Sequence, residues 1–225
     1  MSEVAEYIPN VASTLIDALI ASSRGDRHAF SYNDKRYSYQ DVAALMNRTG
    51  NLLRELGVEP ESAVLLLLPA SPARVAAVLG AIKAGAVPVL GAPTQADALG
   101  HCISVAKPAA AIVHEKLLAV AEAALAAVPR NAVVVVGSDV RGYKSFVDEV
   151  RGQQSWLAAP DVRADAPALG LWTGAAVALT SHAELAAFVH GTGELRGGRE
   201  GPGADAVATG AMLRAFARGE QATLA

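Results

Sequence analysis

The sequence has 225 residues, 52% hydrophobic and 18% charged, with a formal net charge of −3 at pH 7. That length supports one large domain or two small ones around a substantial core, and the weak charge, its basic residues scattered, gives no footprint for nucleic acid or an anionic membrane surface. The one cysteine, Cys102, excludes an internal disulfide framework and reads as a small buried apolar residue; with an acidic MSEVAEY start and no apolar run near a membrane span, the expectation is a soluble cytoplasmic protein in a reducing compartment.

Residues 10–21, NVASTLIDALIA, carry apolar positions at helical spacing, with Thr14 and Asp17 as a candidate capping box. HAFSYNDKRYSY alternates around Asn33-Asp34, the pattern of a two-stranded hairpin. Ser38 and Asp41 open a helix that runs to Leu56 and stops at Gly57. Residues 63–68 form a short continuous apolar run, read as a strand covered on both faces. Ser71-Pro72 then gives an N-cap and an N1 proline to a helix that ends at Gly85, with Lys83 near the negative end of its dipole. Strands at 86–90, 109–113 and 133–136 alternate with helices, one capped by Thr94 and Asp97 and one over 116–127. Such alternation predicts an α/β fold, a mostly parallel sheet with helices on both faces.

Ser145 and Asp148 begin one more short helix, and residues 152–166 read as a polar connector. Residues 168–185, ALGLWTGAAVALTSHAEL, read as a buried strand, a very short turn and a helix capped by Ser181 and Glu184. A glycine-rich charged loop is expected at 191–203 and a last helix over 205–218.

From Tyr37 to Thr94 the order of features is specific. The YSYQDV helix start, the LRELGV helix end, the LLLLPASP strand-to-helix turn and the LGAIKAGAVPVL helix-to-strand turn together resemble the N-terminal domain of the adenylate-forming superfamily: acyl- and aryl-CoA ligases, peptide-synthetase adenylation domains and luciferases. The resemblance implies that residues 1–160 match that domain's first subdomain and 161–225 a shortened piece of its second. It also places the phosphate loop, a run like T/S-S-G-T/S-T-G-x-P-K followed by V-x-x-T/S-H-x-x-L, within 168–185. Trp172 and Thr173 match its start and Ser181, His182 and Leu185 its end, while the middle is only GAAVAL.

A long loop of glycines, hydroxyls and a lysine surrounds phosphates with N–H groups and positive charge. Here the turn offers Thr173 and Gly174 and no lysine. Thr173, Gly174, Ser181 and His182 are therefore the candidate remnant of a nucleotide site, and the local alternative for each is a strand-end, turn, N-cap or N1 role. ATP or AMP, magnesium and CoA are ligands that the resemblance implies, and their sites are expected to be lost. No catalytic residue is carried over, and the sequence has no metal-ligand spacing and no G-x-S-x-G elbow.

His101 with Cys102 and His114 with Glu115 are adjacent pairs whose side chains diverge, and His28 and His190 stand alone. Arg196 and Arg199 face either solvent or an acidic partner. The expected function is that of a truncated, pseudoenzyme-like homologue acting as an interaction or regulatory protein. Its expected partners are a second copy in a homodimer, an active synthetase or a carrier protein. The alternative is a carboxylate-binding component that needs a second polypeptide for ligase activity.

Overall fold

The computed structural model describes residues 5–91, 93, 95–193, 195 and 204–224. The chain begins with a two-residue strand, β1 (Tyr7–Ile8), then a helical stretch with a π-type segment at Ser13–Asp17 that continues as α1 (Ala18–Ala21). The capping box expected at Thr14 and Asp17 does not form. Asn10 caps instead, its Oδ1 accepting from the Ala12 amide at 3.0 Å, and Thr14 Oγ1 donates to Val11 O within the first turn. Asn10 is fixed there because its side-chain amide also donates to Ile82 O at 2.7 Å.

Strands β2 (His28–Tyr32) and β3 (Lys35–Ser38) form the expected hairpin. Both turn residues, Asn33 and Asp34, have positive φ, as a two-residue turn with the twist of its strands requires. Helix α2 (Tyr39–Glu55) starts on the complete Ser38–Asp41 capping box, and α3 (Pro72–Ala84) runs from the Ser71 cap to Gly85 in the left-handed conformation. These two helices cross at glycines: a Cβ at Gly80 would stand 2.8 Å from Thr49 Cβ and 2.9 Å from Met46 O. The close approach lets α2 and α3 bury their facing sides without a gap.

The apolar runs become β4 (Ala63–Leu67), β5 (Val87–Leu90), β6 (Ala110–His114) and β7 (Val133–Val136), alternating with α3, α4 (Ala96–Ala106) and α5 (Glu115–Leu125). Helix α4 begins after Gln95, which makes no side-chain cap, and Thr94 lies outside the described residues. Strand β8 (Lys144–Ser145) precedes α6 (Phe146–Gly152), and Ser145 occupies the N-cap position without the side-chain bond expected of it. The connector is not free of structure: β9 (Val162–Arg163) pairs antiparallel with β1, and Asn47, Asn51 and Arg54 of α2 donate to carbonyls between Gln154 and Ala158.

The largest departure from the sequence reading lies in residues 168–185. After β10 (Pro167–Trp172) the chain forms not a turn leading straight into a helix but a second strand, β11 (Val177–Ser181), antiparallel to β10, and only then α7 (His182–Val189). The final helix, α8, spans Ala204–Arg218. Most of the expected glycine-rich loop at 191–203, with Arg196 and Arg199, lies outside the described residues.

Among the described residues the main sheet has seven strands in the order β11-β10-β5-β4-β6-β7-β8, all neighbours parallel except β10 and β11. One face packs under α2, α3, α6, α7 and α8, with Val64, Leu66, Ile112 and Val134 pointing into that core. The other packs under α4 and α5 through Leu65, Leu67, Ala111, Val113, Val133 and Val135. Strand residues alternate between the two cores because side chains alternate across a sheet. Residues 161–225 add β10 and β11 to this sheet and α7 and α8 to the first core.

Candidate functional site

Strand β4 leaves the sheet into α3 on one face and β5 into α4 on the other. The crevice beyond the carboxyl ends of two such strands is where open α/β sheets bind ligands. Trp172 ends β10 next to β5, whose Leu90 is in register with Leu171. Gly91, at φ +73, turns the chain away from β5, and a Cβ there would come 3.7 Å from Trp172 O. His101 of α4 meets the Trp172 ring edge to face, centroids 5.5 Å apart. The adjacent pair His101 and Cys102 thus splits as their geometry predicts, His101 to the rim and Cys102 into the core, where burial pushes its thiol up to about 11.

The four-residue turn Thr173–Ala176 follows Trp172 and closes on itself. The Thr173 amide donates to Ala176 O at 2.9 Å, its hydroxyl donates to the same carbonyl at 3.0 Å, and that hydroxyl accepts from the Ala176 amide at 3.3 Å. Gly174 sits at the exposed tip with φ +93. A phosphate-binding loop holds its N–H groups convergent and unspent; here Thr173 spends both its donors and Ala176 its amide within the turn.

The start of α7 is equally occupied. Ser181 Oγ accepts from the Glu184 amide at 3.2 Å, and the Glu184 carboxylate accepts from the Ser181 amide at 2.9 Å, completing the expected capping box. The next two amides, those of His182 and Ala183, donate to Ala166 O and Ala164 O, each at 2.9 Å. The first three N–H groups of α7, which a bound anion would use, are therefore satisfied by the chain itself, and the Glu184 carboxylate adds negative charge at that end.

His182 occupies the N1 position, but its ring is 1% exposed rather than solvated, and its Nδ1 has no hydrogen-bond partner. Burial lowers its pKa to about 4, so the imidazole is neutral at physiological pH. The buried Thr180 hydroxyl two residues away likewise has no partner. The four candidate residues thus share one hairpin and helix start without converging: Thr173 and Gly174 belong to the turn at one end of β11, and Ser181 and His182 lie at the other end.

Two polar clusters were not visible in the sequence. Lys83 is 2% exposed and donates to both carboxylate oxygens of Asp17, at 2.7 and 2.9 Å, and to Asn47 Oδ1 at 2.6 Å. It clamps three helical segments together and is not a solvent-facing charge at a helix end. Arg74, 7% exposed, donates to Thr209 Oγ1 at 3.0 Å and joins α3 to α8. Beside it a cavity of about 20 Å³ between Ser71, Thr209 and Met212 has room for one water. Their partners lie far away in sequence, so no local spacing announces either cluster. Among the described residues no group of three or more His, Cys, Asp or Glu is arranged to hold a metal ion, and no helix is long and apolar enough to cross a membrane.

A family model described as AMP-binding enzyme matches residues 19–181. The 3-hydroxybenzoate–CoA/4-hydroxybenzoate–CoA ligase of Thauera aromatica is 38% identical over 80 residues, 36% of this chain and 15% of its own. The 4-hydroxybenzoate–CoA/benzoate–CoA ligase of Rhodopseudomonas palustris is 29% identical over 131 residues, 58% of this chain and 24% of its own. Among solved structures, the anthranilate CoA ligase AuaEII in complex with anthranoyl-AMP superposes with a TM-score of 0.75 at 23% identity, over 84% of this chain and 38% of its own. At that identity the likeness is one of fold. The matches span less than a quarter of either curated relative's length and well under half of the solved one.

Proposed function

Because the chain belongs to the AMP-binding enzyme family, we propose that it is a non-catalytic member that keeps the family's sheet and helices as a binding scaffold and acts through another protein. The observation that carries this reading is the Thr173–Ala176 turn. Four residues without lysine, closed by their own hydrogen bonds, cannot wrap a triphosphate or offset its charge. The occupied amides at the start of α7 support the same reading, since they withdraw the second group of donors from a phosphate.

On this reading the protein's partner is a second copy, an active synthetase or a carrier protein. Thermal melting of the purified chain with ATP or AMP and magnesium tests it, together with pyrophosphate exchange in the presence of aryl and alkyl carboxylates. The expected result is no shift with either nucleotide and no exchange. A rise in melting temperature with ATP, the signature of a ligand that binds only the folded state, overturns the proposal.

A second reading, a carboxylate-binding component of a split ligase, is favoured by one feature: Trp172 and His101 meet at the rim beside the switch-point crevice. It predicts stabilisation by an aryl carboxylate or by CoA without nucleotide, and the same melting series separates the two.

A further inference from the structure

We propose that the open concavity between the end of α5, the start of β7 and Tyr143 binds a small apolar zwitterion, an α-amino acid with an aliphatic side chain. The inference goes beyond the function proposed above and does not rest on it. The concavity measures about 620 Å³, within the range of roughly 300–1,000 Å³ in which small-molecule sites fall. Arg130 stands just before Val133, the first residue of β7. The concavity therefore lies at the amino ends of the parallel strands, at the opposite pole of the sheet from the crevice beside Trp172.

Its rim carries two opposite charges that a tyrosine keeps apart. The Arg130 guanidinium lies over the Tyr143 ring, 3.5 Å from its centroid. Arg130 Nε donates to Gly142 O at 3.1 Å and Nη1 donates to the Tyr143 hydroxyl at 2.8 Å. That hydroxyl in turn donates to Glu122 Oε1 at 3.3 Å. Arg130 and Glu122 themselves come no closer than 3.9 Å, too far for a hydrogen bond. Among the described residues, Arg130 Nη2 and Glu122 Oε2 make no hydrogen bond. Gly142, at φ +85, leaves the Nη2 side open, since a Cβ there would stand 3.3 Å from that atom.

Opposite charges held this close, each with an atom to spare, match a carboxylate and an ammonium carried on one carbon. The ligand carboxylate pairs with Arg130. Its ammonium pairs with Glu122, in the last turn of α5, where the negative end of the helix dipole adds attraction. The floor is apolar, made by the buried Leu125, Val128 and Val133, and it receives an aliphatic side chain. A carboxylate without the ammonium meets Arg130 but faces the like charge of Glu122, and an amine without the carboxylate meets the reverse. Both rim side chains are more than half exposed, so each pairing is weak and the expected dissociation constant is about millimolar.

Amide NMR titration of the whole chain with L-leucine tests the proposal, alongside 4-methylpentanoate and 3-methylbutylamine, which keep the leucine side chain with one charge each. Leucine should give saturable shifts centred on residues 122–130 and 142–143. Each single-charge analogue should bind about fivefold more weakly, the worth of one exposed ion pair. Arg130→Met and Glu122→Gln should each weaken leucine by a similar factor, with the rest of each spectrum unchanged as the sign of an intact fold. Shifts that do not saturate, an analogue that binds as tightly as leucine, or a folded variant with wild-type affinity overturns the proposal. The analogue series needs only the wild type, so a variant that fails to fold leaves the decision to it.

Discussion

Lys83 and His182 are two buried ionisable side chains treated in opposite ways. Lys83 reaches three oxygens with its three ammonium donors, two from Asp17 and one from Asn47. The helical stretch before α1 and helix α2 deliver those acceptors from 66 and 36 positions away in the chain. His182 sits where capping is already complete: Ser181 and Glu184 satisfy each other, and Ala166 O takes its own amide. Its ring finds no partner at Nδ1, and burial alone acts on it. A buried charge is tolerable where separate elements bring it acceptors, and a buried imidazole without them stays neutral and packs much as an apolar ring does.

The strongest way to break this contrast is to remove one side of the lysine clamp. Asp17→Ala leaves the Lys83 ammonium buried with Asn47 alone and is expected to destabilise the protein by about 4 kcal/mol. Lys83→Met is expected to cost much less, about 1 kcal/mol, because a similar volume refills the site and Asp17, 40% exposed, turns to water. Urea unfolding of the two variants measures the difference. Equal losses would mean that packing, rather than the unpaired charge, holds this region.

The second way is to titrate His182. Its folded pKa of about 4 lies below the unfolded value of 6.5, so below pH 6.5 the unfolded chain takes up the proton more readily than the folded one. Stability from this residue is complete above 6.5, falls as pH drops towards 4, and is then lost by about 3 kcal/mol. A His182→Leu variant removes that slope. Its stability minus that of the wild type, measured by unfolding at each pH, should rise between pH 6.5 and 4; parallel curves would show that the ring is not held neutral by burial. Smallest is Ser181→Ala, which frees the Glu184 amide and should cost about 1 kcal/mol with little change in the His182 titration, since the ring does not depend on the cap. A lost titration would show that the box also seats the ring.

Much of the fold was legible because its signals are local. The Ser38–Asp41 and Ser181–Glu184 boxes, Ser71 before Pro72 and the Gly85 stop all act within four residues, and each forms as read. The apolar runs of β4, β5, β6 and β7 are legible for a related reason: a strand buried on both faces has no polar side to hide. The candidate site was legible in part. The shortened middle of 168–185 and the Ser181 cap stand in the sequence, whereas the turn's internal hydrogen bonds and the buried His182 ring do not.

The sequence by itself determined the α/β alternation, most helix starts and the shortness of the Thr173–Ala176 turn, because those depend on residue spacing along one segment. Tertiary structure decided between Asn10 and Thr14 as the first cap, since only Asn10 also reaches Ile82 O. It decided that Val177–Ser181 is a strand, since so short a segment becomes one only when β10 lies alongside to share its hydrogen bonds. It also decided that Lys83 is clamped while His182 is left alone. Whether a buried polar group finds a partner depends on which distant elements the fold brings beside it, and no local spacing encodes that.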